Sequence, residues 1–129
     1  MLKSLAAMAA TLLVLDLLWL GIVASSFYRR QIGHLMADTT TWWAALLFYL
    51  VYTFGVWFFV VQPGLAGQEP REVLLRGALF GLVCYSAFDL TSQAVLRDWP
   101  VTLTLVDLAW GALLTSLVAW AGWWAGRAG

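Results

Sequence analysis

Three aspartates carry the chemistry this sequence offers. Asp16 in VLDLLWLG, Asp89 in CYSAFDLTSQ and Asp107 in LVDLAWGA each interrupt an apolar run, with no lysine or arginine beside them in that run. An acid near the centre of a membrane helix costs about 2.5–3.5 kcal/mol on insertion scales, so such residues demand a reason. Three carboxylates that repel one another cannot all be ionised without a cation. Either they share protons, or a positive group reaches them from outside the spans. Arg29 and Arg30 are the candidates for that group, because Arg97 lies about 12 Å along the helix axis from Asp89. Polar residues in bundles also serve as plain hydrogen-bonding glue worth about 0.6 kcal/mol on average. Their common depth argues for more than glue.

That depth follows from the elements that must position them. Four apolar segments, roughly 4–25, 42–62, 72–96 and 101–125, each reach the ~20 residues an α-helix needs to cross a bilayer. Four spans put both termini on one side, called side A here, and the connections after spans 1 and 3 on side B. Counting at about 1.5 Å per residue places Asp16, Asp89 and Asp107 all about 10–14 Å below side B. Spans running in opposite directions thus deliver their acids to one level. The reading is a shared site open towards side B. In span 3 the four-residue steps Gly77, Gly81, Tyr85, Asp89 and Gln93 form one stripe; in span 4 the steps are Asp107, Gly111 and Thr115. The glycines permit close helix approach. Span 2 brings Tyr49 and Tyr52 to the same depth, so the expected polar ring is Asp16, Tyr49 or Tyr52, Tyr85, Asp89 and Asp107.

Two tryptophans complete the candidate binding set. Both Trp19 and Trp110 follow an acid by three residues, in spans of opposite direction. Trp19 therefore falls near the level of Asp107, and Trp110 near that of Asp16. If spans 1 and 4 are neighbours, each indole N–H can reach the acid of the other helix, since a buried indole needs an acceptor. Six of the other seven tryptophans, Trp42, Trp43, Trp99, Trp120, Trp123 and Trp124, lie near span ends and fit an interfacial belt.

Composition bounds the alternatives. The 129 residues are 63% hydrophobic and 11% charged, too little polar material to cover a soluble domain. The expected fold is all-α, a polytopic four-transmembrane-helix bundle forming a single domain over residues 1–129. Alternating strands of a membrane barrel are absent. A lone histidine, His34, disfavours haem, di-iron and multi-histidine zinc chemistry, so neither cofactor nor metal is expected. No phosphate loop, nucleophile elbow or zinc-protease motif occurs, and Lys plus Arg equals Asp plus Glu at seven each, which argues against nucleic acid as partner. Cys84 is single and reads as a small core residue. The first segment has the outline of a signal peptide, but Asp16 breaks its apolar core, so it is expected to be retained.

The connections add detail. SFYRRQIGHLMADTTT repeats apolar residues Phe27, Tyr28, Ile32, Leu35 and Met36 at helical spacing, which predicts a short interfacial helix with Arg29 and Arg30 at the headgroups. QPGLAGQEP breaks the chain after span 2, and Glu69 and Glu72 suit the start of span 3. RDWP turns the chain into span 4, with Asp98 as cap and Pro100 in the first turn. Basic residues divide four to three between sides A and B, a small majority for cytoplasmic termini.

Taken in order, D-x-x-W-L (Asp16, Trp19, Leu20), Y-x-x-G (Tyr52, Gly55), Y-x-x-x-D-L-T (Tyr85, Asp89 to Thr91), W-P (Trp99, Pro100) and D-x-A-W-G (Asp107, Ala109 to Gly111) resemble an uncharacterised family of small four-helix bacterial integral membrane proteins. Asn would be expected at Ser92 and Tyr at Phe88. The resemblance implies the four-helix architecture in a bacterial inner membrane and supplies no activity. The residues favour a proton- or cation-linked carrier or binding protein for a small solute. The alternatives are an enzyme or accessory subunit in membrane lipid modification, with Asp and Tyr as acid–base groups, and a structural membrane partner. Expected partners are membrane lipid, an unknown small solute, and a second copy or a membrane enzyme.

Overall fold

The computed structural model describes residues 1–23, 25–67 and 69–127. Among these residues every regular element is helical. Four helices are long and apolar enough to cross a membrane: α1 (Leu2–Ile22), α3 (Trp42–Leu65), α4 (Pro70–Val95) and α5 (Val101–Arg127). The short α2 (Ser25–Ile32) follows α1, as the amphipathic spacing predicts. The chain is a multi-pass membrane protein. Its outer surface is apolar, with Leu13, Leu17, Ile22, Leu50 and Val83 among many large exposed side chains, as lipid contact requires. The span limits differ from expectation by a few residues. The expected end of the first span at Ser25 crosses Ala24, which lies outside the described residues.

α5 is the centre of the bundle, packing closely against α4 and α1. Lipid tails are as apolar as leucine, so close van der Waals packing rather than water exclusion must hold these helices together. Glycine makes that possible. A Cβ on Gly81 would stand 2.1 Å from the Gly111 carbonyl oxygen, and one on Gly77 would stand 2.9 Å from Ser116 Cα. At Gly111 the Tyr85 ring occupies the space a Cβ would need, 2.3 Å from its Cγ. The stripes expected on spans 3 and 4 therefore face each other.

The chain ends meet at side A, where Ser4 Oγ donates to the Gly122 carbonyl at 2.8 Å. Near side A, the stretch of α3 around Trp57–Val61 touches α1, α4 and α5. These five residues widen into a π-helical turn just before Pro63, whose ring and missing N–H would disturb a regular helix. Trp123 clamps this end, its Nε1 donating to the Gly64 carbonyl at 3.0 Å. Towards side B the first half of α3 has α1 as its main close neighbour among the long helices, and Gly55 of α3 faces the Phe80 ring of α4. The bundle is tight at side A and parted at side B.

Three local expectations are corrected. Asp98 does not cap α5; it adopts φ 64° and turns its carboxylate to His34 Nε2 at 3.8 Å. The turn is held by Gln93, which donates to the Trp99 carbonyl at 2.6 Å and accepts from Thr104 Oγ1 at 2.9 Å. Pro100 precedes the helix and offers its carbonyl to Thr104 N. Trp99 and Trp123 are buried rather than interfacial, because each indole finds an internal acceptor; Trp42, Trp43, Trp120 and Trp124 remain exposed in the manner of a belt.

Replacing Gly81 with Leu should force α4 from α5 and cost several kcal/mol, since the obstructing atom is backbone. Gly55→Ala meets only the end of the Phe80 ring at 3.2 Å and should cost under about 1 kcal/mol. Unfolding of the detergent-solubilised protein, followed by circular dichroism, measures both.

Candidate functional site

A cavity of about 390 Å³ lies among the helices towards side B. It is lined by Asp16 and Leu20 of α1, Tyr28 of α2, Phe48 and Tyr49 of α3, Cys84, Tyr85 and Phe88 of α4, and Asp107 and Trp110 of α5. The equal-depth count thus corresponds to a real convergence: Asp16 and Asp107, from antiparallel helices, open into one space.

Each of these two acids accepts from a phenol. Tyr49 donates to Asp16 Oδ2 at 2.7 Å. Tyr28 donates to Asp107 Oδ1 and accepts from Trp19 Nε1 at 3.1 Å. The expected direct bond from Trp19 to Asp107 is replaced by this two-step chain. The levels of donor and acceptor agree with the count, but α2 inserts a hydroxyl between them. Trp110 lies beside Asp16 as the crossing requires, although the well-formed bond to that carboxyl comes from Tyr49. The two indoles stack on each other, with centroids 4.4 Å apart and planes 7° from parallel. That stack fixes α1 against α5 at the level of the acids.

Asp89 is placed differently. It lies next to Asp107 across the α4–α5 interface and does not line the cavity. Its exposure is 0%, and neither carboxyl oxygen has a hydrogen-bond partner. Leaving such a group buried and unpaired costs free energy that a neighbouring apolar side chain would not incur. Asp16 and Asp107 therefore open into the cavity, and Asp89 stands beside Asp107 but away from the cavity. Among the described residues no three such groups come close enough to hold a metal ion.

Of the remaining candidates, Tyr85 lines the cavity with its ring seated on Gly111. Tyr52 lies deeper; it is buried and bonded to Thr115 Oγ1, below the cavity floor. Arg29 and Arg30 are exposed and make no ion pair with any of the three acids. The group that reaches down from the interfacial helix is Tyr28 instead. Burial first, and then its bond to Asp107, push the Tyr28 phenol above its ordinary range, so it stays a protonated donor at any physiological pH. Cys84 is half-buried on the cavity wall rather than in the core.

A family of predicted membrane proteins, DUF2177, matches residues 1–124. The chain belongs to this family. No curated protein and no solved structure matches it. Membership of DUF2177 agrees with four spans and leaves the chemistry to be argued from the geometry.

Sequence reasoning missed Tyr28 as a site residue. The apolar spacing of Phe27, Tyr28 and Ile32 marked only the membrane side of an interfacial helix, and the Tyr28 hydroxyl on that side was the signal that could have found it. Tyr28→Phe removes the donor to buried Asp107 and the acceptor of Trp19 together, and should cost about 1–3 kcal/mol. Tyr49→Phe acts on half-buried Asp16, which the cavity can rehydrate, and should cost about 1 kcal/mol or less. Thermal unfolding monitored through the near-ultraviolet signal of the stacked indoles gives the comparison.

Proposed function

We propose that this membrane protein binds a small solute in the side B cavity and couples that binding to a proton, as a carrier or a binding protein. The observation that carries the reading is the Asp89–Asp107 pair. Two adjacent carboxyls, one of them wholly enclosed and without a donor, repel each other unless a proton sits between them. Asp107 faces both ways: it touches the enclosed acid and also opens to the cavity. A solute that engages Asp107 from the cavity side changes how strongly the pair holds its proton. That is the minimum arrangement for linkage between solute and proton.

Asp16 and Asp107, the phenols of Tyr28, Tyr49 and Tyr85 and the indoles of Trp19 and Trp110 form the binding group in this reading, with Asp89 behind Asp107 as the proton holder. Tyr52 supports it from below. The four-to-three distribution of basic residues favours cytoplasmic termini, which would direct the cavity to the outer half of a bacterial inner membrane.

Infrared spectroscopy of the protein in lipid tests the reading. At neutral pH it should show a protonated carboxyl C=O band that disappears in both Asp89→Asn and Asp107→Asn and persists in Asp16→Asn. Absence of the band in the unaltered protein would remove the proton linkage.

A further inference from the structure

The cavity walls define what the solute is. Asp16 and Asp107 each accept one phenol, which leaves acceptor capacity on both carboxyls, since a carboxylate offers about four lone-pair sites. Among the described residues no lysine, arginine or histidine lines the space, so its unmet need is for a donor with positive charge. The rest of the wall is apolar or aromatic: Leu20, Phe48, Phe88 and the faces of Tyr85 and Trp110. Aromatic faces attract a cation and accept hydrocarbon equally well. At about 390 Å³ the cavity lies at the lower end of small-molecule sites.

The way in is visible as well. Phe48 of α3 and Phe88 of α4 are 49% and 58% exposed, on helices whose outer faces are apolar. Both rings line the cavity, one from each of the two helices that meet at Gly55 and Phe80 nearer side A. An entrance between two such exposed apolar rings suits a molecule already dissolved in the bilayer, whose hydrocarbon part can stay beside them. The acids at the inner end are left for the head of the molecule.

We infer that the site takes a lipophilic ammonium compound, a hydrocarbon body bearing one amine, which enters from the bilayer between α3 and α4 and places its nitrogen between Asp16 and Asp107. The inference rests on the cavity being the solute site, as proposed above, and adds the class of solute and its route. Carboxylates exclude an acid of the same shape, and an alcohol satisfies one acceptor without supplying charge.

A matched series with one chain and different heads decides this: dodecylammonium, dodecanol and dodecanoate, each at equal mole fraction in phosphatidylcholine nanodiscs holding the full chain. Cys84 is the protein's single thiol and lines the cavity, so its rate of alkylation by N-ethylmaleimide, read by mass spectrometry, reports occupancy. The near-ultraviolet signal of the Trp19–Trp110 stack reports the same event without thiol chemistry. Dodecylammonium should slow alkylation saturably and alter the indole signal, and the alkanoate should do neither. Asp16→Asn and Asp107→Asn should each weaken the ammonium effect by at least about tenfold. Equal effects from alkanoate and ammonium, or no saturable effect from either, overturn the assignment on the unaltered chain alone, whatever the variants' folding. Adding phosphatidylethanolamine separates two sources of the same group: competition with dodecylammonium assigns the ammonium to a lipid head, and no competition assigns it to a free amine. A failed series beside an intact Asp89 infrared band removes the ammonium class and leaves proton linkage standing; a missing band beside a successful series does the reverse.

Discussion

The close approach of α4 to α5 is the constraint on which the rest of this bundle depends. With Gly81 against the Gly111 carbonyl and Gly77 against Ser116, no α4 side chain stands between the two backbones at these positions. Tyr85 then has one place for its ring, over Gly111, and the carboxyls of Asp89 and Asp107 are brought together towards side B. A larger residue at these positions would push α4 from α5, disturb Thr115 and part the two acids. The same contact makes α5 central, because α1 can pack on its other side while α3 closes only the side A end. The cavity is what remains where α3 has no small-residue partner on α4.

The bundle satisfies its acids with neutral donors. Phenols from α2 and α3 take the place that arginine or lysine would occupy in a buried ion pair. A phenol has little charge to desolvate, so bringing it to mid-depth costs far less than bringing a guanidinium there. It also leaves the carboxylate short of positive charge, and the shortage is exposed to the cavity. In a soluble protein water would reduce the difference. Between apolar rings within a bilayer it persists, which is why the donor set matters more here than the number of acids.

Much of this was legible from residue spacing. Span number, the interfacial helix, the facing stripes of Gly77, Gly81 and Tyr85 with Gly111 and Thr115, and the shared level of Asp16 and Asp107 all follow from an axial rise and a helical period, which are local quantities. What spacing does not contain is the rotation of one helix against another and the path of a chain reversal. Tyr28 reaches Asp107 only because the chain folds back after α1, and no period links residue 28 to residue 107. For the same reason Asp98 turned to His34 instead of its own helix, and Asp89 faced Asp107 instead of the cavity. Trp99 and Trp123 illustrate the limit from another direction. Their axial position suits the interface, but burial is decided by whether an acceptor lies within reach, as Thr104 and Gly64 do.

The three acids differ in environment by degrees, and that order is informative. Asp16 is half-buried with one donor, Asp107 is buried with one donor, and Asp89 is wholly enclosed with none. A cation arriving from the cavity meets Asp16 and Asp107 directly, while Asp89 senses it only through Asp107. Charge placed on the cavity side of Asp107 strengthens its ionised form, and the proton held within the pair then has Asp89 as its nearest alternative. Asp89 is therefore suited to hold a proton and poorly placed to hold a ligand, whereas Asp16 is the reverse. In the proposed reading, one acid that did both would have to release its proton to take the cation; dividing the roles between an enclosed and an open carboxyl links the two events through Asp107 without making them exclusive.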